Sequence, residues 1–177
     1  IGNWKMFGDF TSFKIINKTQ KYISKNKKYQ KKKIVFCIPS TLIYAFKKRL
    51  KSKEIFLGAQ NCHHTESNGP FTGSVNASML KKIGAQYIIL GHSENRSEGE
   101  TNKIIKKKIQ SSLNQNLNIV FCIGETASEK KKGKTLSILR SQINSTLDKK
   151  FNLNKILVAY EPVWSIGTNK TPKKNEL

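Results

Sequence analysis

An α/β fold built from repeated strand–helix units is what this sequence predicts, and three observations predict it. Short, nearly continuous apolar runs rich in Ile and Val recur roughly every 30 residues, the pattern of parallel strands buried on both faces. The stretches between them are polar and Lys-rich, with apolar residues at helical spacing. The most informative polar residues fall at the C-terminal ends of the runs, where α/β enzymes place their sites.

The runs are a short first strand around Gly2 to Met6, then Ile34 to Ile38, Ile55 to Ala59, Tyr87 to Leu90, Asn118 to Ile123 and Ile156 to Tyr160. Among the intervening stretches, Ile43, Phe46 and Leu50 share one helical face. So do Ile105, Ile109 and Leu113, and so do Leu136, Leu139, Ile143 and Leu147. Ser40 after Pro39, and Thr101 with Asn102, supply helix starts. Strand, helix, strand in repetition implies right-handed crossovers. The count reaches roughly six units, whereas a closed (β/α)8 barrel needs eight strands and about 250 residues. Periodicity alone leaves an incomplete barrel and an open doubly wound sheet both standing. A dinucleotide-binding sheet needs a Gly-rich turn after its first strand, and Met6, Phe7, Gly8 and Asp9 do not supply one.

With 177 residues, 37% hydrophobic, the chain suits one domain with a real core. It holds no run of about 18 apolar residues and no signal-peptide pattern at its start. A cytoplasmic location without a membrane partner is the expectation. Cys37, Cys62 and Cys122 are far apart, lack metal-ligand spacing and read as buried free thiols of a reducing compartment. Ile1 stands almost against the first polar motif, so the sequence is expected to begin inside an open reading frame.

The formal charge of +22, from 33 Lys+Arg against 11 Asp+Glu, invites a nucleic-acid-binding reading. Its distribution opposes that. Nearly all of it is Lys, scattered over every polar segment beside abundant Asn and Ile, as an AT-rich genome would impose, whereas readers of nucleic acid concentrate Arg and interleaved aromatics. No nucleic-acid partner is expected.

Asn3 and Lys5 alternate with Trp4 and point to one side of the first strand; His92 follows Ile88 to Gly91; Glu161 ends the run Val158 to Tyr160 and precedes Pro162. Singly, each has a bland reading as a strand-edge Lys, a structural His or a loop carboxylate. At equivalent ends of three strands they converge on one opening. A carboxylate, an imidazole and an ammonium group there suit proton abstraction beside a carbonyl, which needs a base, an electrophile for the developing oxyanion and a cation for a charged substrate.

From residue 1 to about Thr171 the chain resembles the triosephosphate isomerase family. The resemblance rests on GNWKM at 2 to 6, AQN at 59 to 61, FTG at 71 to 73, ILGHSE at 89 to 94 with Arg96, FCIGE at 121 to 125 and AYEPVWSIGT at 159 to 168. It implies a TIM barrel, present here as one incomplete domain over 1–177 that ends at the start of the sixth helix. It also implies interconversion of dihydroxyacetone phosphate and glyceraldehyde 3-phosphate in glycolysis and gluconeogenesis, with no metal and no organic cofactor.

By that resemblance Glu161 is the base, His92 the neutral electrophile at a helix start, and Lys5 the cation, a Glu and neutral-His pairing for which this family is itself a standard example. Asn3 and the Gly167 N–H bind substrate, and Ser93, Glu94, Cys122 and Glu125 support the site. Pro162, Val163, Trp164, Ser165, Ile166, Gly167, Thr168, Asn169, Lys170, Thr171 and Pro172 form a closing lid with two hinges.

A homodimer through the loop with Phe71, Thr72 and Gly73 is implied, although Ser74 and Asn95 stand where the family has a charged pair. Asn169 replaces a usual Gly. The Ser and Gly-pair N–H donors that the family takes from strands seven and eight have no counterpart here. The competing readings are a catalytically inactive barrel fragment and a basic nucleic-acid-binding domain.

His63 and His64 suggest a metal pair, but adjacent side chains are expected to diverge. Gly133, Lys134 and Thr135 imitate the tail of a P-loop without its earlier Gly.

Overall fold

A computed structural model describes residues 1–168 and Pro172. Asn169, Lys170 and Thr171, part of the expected lid, lie outside the described residues. The chain runs β1 (Gly2–Asn3), α1 (Phe13–Lys25), β2 (Ile34–Cys37), α2 (Ser40–Arg49), β3 (Ile55–Ala59), α3 (Ala77–Lys82), β4 (Tyr87–Leu90), α4 (Ser93–Ser97), α5 (Asn102–Asn114), β5 (Asn118–Ile123), α6 (Ala127–Lys131), α7 (Thr135–Thr146) and β6 (Ile156–Tyr160).

All six strands form one parallel sheet in the order β1-β2-β3-β4-β5-β6. This order decides between the two architectures that periodicity leaves open. A doubly wound sheet reverses direction once, so its strand order contains a switch point. Here every crossover advances the same way, and a uniform right-handed hand then keeps all helices on one side, as in a barrel wall.

Burial follows from that geometry. Ile55, Leu57, Ile88, Leu90, Ile119 and Phe121 face the helices, packing with Ile16, Ile43, Phe46, Leu80, Ile105 and Ile109. The alternate positions Val35, Cys37, Ile89, Val120 and Cys122 form a second, smaller cluster on the sheet's other face. Apolar residues on both parities explain the unbroken hydrophobic runs. Among the described residues β1 pairs only with β2 and β6 only with β5. Leu157 and Val158 on β6 are correspondingly exposed.

Thr101 caps α5, its hydroxyl accepting from Ile104 N. Ser40 is the first residue of α2 rather than its cap, which is Pro39. Leu136 points to solvent, so the face of α7 is carried by Leu139, Ile143 and Leu147. The three thiols are buried and unpaired, although Cys62 lies in the loop after β3 rather than in a strand. Burial pushes Cys37 and Cys122 up to about 12 and Cys62 up to about 11. Among the described residues no helix is long and apolar enough to cross a membrane.

Candidate active site

The site lies at the C-terminal ends of β1, β4 and β6. Lys5 follows β1 in the left-handed region at φ 52°, a conformation costly for a residue with a side chain. It is held there from two sides. The Lys5 N–H donates to Asn3 Oδ1 at 2.9 Å, and Gln60 Nε2 donates to Lys5 O at 2.8 Å and to Asn3 Oδ1 at 3.2 Å. The turn directs the ammonium inward, where it meets Glu94 Oε1 at 2.6 Å. Lys5 holds the Glu94 carboxyl below the ordinary carboxylate range, chiefly by this hydrogen bond.

His92 is the N-cap of α4, with its Nδ1 3.3 Å from Glu94 N. Because a backbone N–H only donates, Nδ1 is the unprotonated nitrogen of the neutral ring, even though Glu94 Oε2 also lies 3.5 Å from it. The hydrogen then sits on Nε2. That nitrogen lies 3.3 Å from Glu161 Oε2, out of line for a hydrogen bond, since Oε2 is buried without a hydrogen-bond partner.

Glu161 is placed by the loop after β5. Its N–H donates to Ile123 O at 2.8 Å, and its carbonyl passes so close to Gly124 that a Cβ there would stand 2.0 Å from Glu161 O. Only Gly permits that approach. Gln142 brackets the same turn, accepting from Gly124 N and donating to Gly124 O, each at 3.0 Å.

The following residue, Glu125, is buried at 1% exposure. Its carboxylate accepts from Tyr160 Oη at 3.1 Å and Trp164 Nε1 at 2.9 Å, while its carbonyl accepts from Val163 N at 3.0 Å. Cys122 lies beneath; burial first and then the Glu161 charge raise its thiol. Arg96 ties the floor together through Gly91 O at 2.7 Å, Asn102 Oδ1 at 2.6 Å and Cys122 O at 3.3 Å.

A cavity of about 650 Å³ opens over Asn3, Lys5, Gln60, His92, Glu94 and Asn95. Glu161 and Ser93 border a separate, smaller crevice, so His92 stands between the open cavity and the carboxylate. Pro162 to Thr168 leave β6 through a 3-10 turn at Val163–Ser165, and Gly167 has φ 69°. Sequence reading passes over Gln60, Gln142 and Lys130 as site residues; Lys130 Nζ sits 3.5 Å from the Trp164 ring centroid. The AQN stretch carries the only signal for Gln60.

Phe71 is exposed in the loop after β3. Contrary to the expected divergence, the His63 and His64 rings lie side by side with centroids 4.4 Å apart, and Phe71 packs 4.5 Å from His63. Burial, then its neighbour, lowers the His64 pKa.

The family model described as "Triosephosphate isomerase" matches residues 1–177. The chain is 41% identical over 174 residues to a triosephosphate isomerase of Dictyoglomus thermophilum, covering 97% of this chain and 69% of that one. It is 38% identical to the Aquifex aeolicus enzyme of the same name, over 98% of this chain and 70% of the relative. Among solved structures, the triosephosphate isomerase from Bartonella henselae superposes with a TM-score of 0.85 at 36% identity, covering 92% of this chain and 67% of that chain.

Proposed function

Because the chain belongs to the triosephosphate isomerase family, we propose that it interconverts dihydroxyacetone phosphate and D-glyceraldehyde 3-phosphate by proton transfer through an enediolate. The observation that carries this reading is the approach of Glu161 Oε2 to His92 Nε2 at 3.3 Å, with His92 and Lys5 lining one cavity and Glu161 on the far side of the imidazole. Glu161 takes the proton from the carbon next to the carbonyl and returns it to the neighbouring carbon. The Glu161 carboxylate is placed for that task, with the His92 ring beside it and the Cys122 thiol against it.

His92 Nε2–H donates to the substrate oxygen on which charge develops, and Lys5 offsets both that charge and the phosphate. Asn3 and Gln60 fix Lys5, while Glu94 orients the ammonium and the imidazole together. The Gly167 N–H is assigned to the phosphate, and Pro162 to Pro172 to a lid that excludes water from the enediolate. Ser93, Cys122 and Glu125 support the base from behind.

Residues 1–177 are read as one incomplete barrel domain. Supporting this are the sheet edges at β1 and β6 and the relatives' coverage near 69%. A homodimer through the exposed loop of Phe71, Thr72 and Gly73, a cytoplasmic location consistent with three unpaired thiols, and a glycolytic role complete the proposal.

The test is the isomerase rate of the intact protein in deuterated water. Conversion with deuterium entering at the carbon beside the carbonyl supports proton transfer. A protein that binds triose phosphate but neither converts it nor exchanges that hydrogen overturns the assignment.

A further inference from the structure

We propose that Lys130 is a positioning residue for Glu161, acting through the indole of Trp164; this rests on the isomerase reading for its catalytic consequence alone. Lys130 Nζ stands over the Trp164 ring, 3.5 Å from its centroid. In the ring plane the Trp164 N–H donates to the buried Glu125 carboxylate at 2.9 Å. An aromatic ring is negative on its faces and positive at its edge. Here each region therefore meets the opposite charge, and Trp, the strongest of the rings for a cation, takes it within the roughly 6 Å that the attraction requires. A carboxylate pulling on the N–H also leaves more electron density on the face, so the two contacts reinforce each other.

The mechanical path to Glu161 is short. Lys130 belongs to α6, whose start is fixed by a capping box in which Thr126 Oγ1 accepts from Glu129 N and Glu129 Oε2 accepts from Thr126 N. Lys130 N itself donates to Thr126 O at 3.0 Å. The cation thus comes from an anchored helix. Trp164 lies within the 3-10 turn Val163–Ser165, three residues after the carboxylate. Ser165 N returns to Pro162 O at 2.9 Å, which makes the turn one stiff unit from Pro162 onward. Holding the indole therefore fixes where Glu161 emerges, and releasing it lets the segment drift from His92.

The experiment compares Lys130→Met, which keeps the stem and removes the charge, with Lys130→Arg, which keeps a cation able to stack, in the intact protein. Backbone hydrogen exchange is read over 161–168, with β4 and β5 as internal controls. The expected result is exchange faster by about threefold to tenfold over 161–168 in Lys130→Met, from the loss of a cation–ring contact, with controls unchanged and protection restored in Lys130→Arg.

Equal protection of 161–168 in wild type and Lys130→Met overturns the proposal, and so does loss of protection spread evenly over the sheet. In the isomerase assay kcat should fall in Lys130→Met with KM within about twofold, and Lys130→Arg should recover it. A wild-type protein without isomerase activity would sink the functional reading while leaving the exchange result to decide this one.

Discussion

At the scale of single residues, the base and the cation are held by different means, and substitution separates them. Glu161 reaches His92 at 3.3 Å through backbone contacts to Ile123 and Gly124. Glu161→Asp should leave those contacts whole while withdrawing the carboxylate by one methylene. Turnover should fall on the order of 10²-fold, the scale set by about 1 Å of misplacement, with KM nearly unchanged; an unaltered kcat in pure variant removes Glu161 from the chemistry. Lys5→Met should raise KM as well as lower kcat, because the ammonium faces the open cavity and attracts a dianion before and during reaction.

Lys5→Met also tests the pair with Glu94. That carboxyl titrates below its ordinary value of 4.5 in the folded protein, chiefly through Lys5. A lowered folded value means that the pair contributes above the unfolded pKa and is lost as pH falls through the folded one. Carbon NMR should give Glu94 a midpoint below 4.5 that moves upward in Lys5→Met, and an unmoved midpoint would deny the contact. His92 and Glu161 are legible in sequence because each follows an apolar run, and Asn3 and Lys5 because they alternate with Trp4 in the GNWKM stretch. Gln60 is not, since its bond to Lys5 O spans 55 positions and an amide in a loop carries no pattern of its own.

At the scale of elements, five of the strands appear where the apolar runs stand, because a sheet buried on both faces leaves no polar alternation to misread. Helix α1 is harder to read. Its buried Phe13, Ile16 and Ile23 share the helix with exposed Ile15 and Tyr22, which blur the stripe. The strict order of the sheet is legible only through the family resemblance, since which strands neighbour one another depends on crossovers that carry no periodic signal.

Gly124 against Glu161 is a close joint between elements, where β5 and β6 deliver their loops to the same place. Gly124→Ala would drive a methyl group to 2.0 Å from a carbonyl oxygen, and neither backbone segment yields easily, each being tied by hydrogen bonds to Gln142, Ile123 and Glu125. Relief requires Glu161 to shift away from His92. Both the melting temperature and kcat should drop, with kcat lower by at least about tenfold, whereas Thr101→Ala, which removes only the cap of α5, should cost about 1 kcal/mol of stability and leave kcat intact. A Gly124→Ala protein with normal kcat would mean that this joint does not position the base.

For the molecule as a whole, an edge and a charge oppose each other. Strands β1 and β6 each pair on one side only among the described residues, and Leu157 and Val158 on β6 are 54% and 43% exposed. Unpaired backbone beside apolar side chains is a template for association. The charge of +22 works against it, because like-charged chains repel until salt screens them, over about 30 Å at 0.01 M and about 8 Å at 0.15 M ionic strength. Residues 1–177 expressed alone should therefore stay dispersed at low ionic strength and associate as salt is added, a dependence opposite to that of an assembly held by ion pairs. Light scattering across a salt series reads this directly. Val158→Lys, which puts a charge on the β6 edge, should move the onset to higher salt, while a Lys added at the already exposed Leu136 of α7 should move it much less. Association that is independent of salt, or equally sensitive to both substitutions, would place the sticky surface elsewhere than β6.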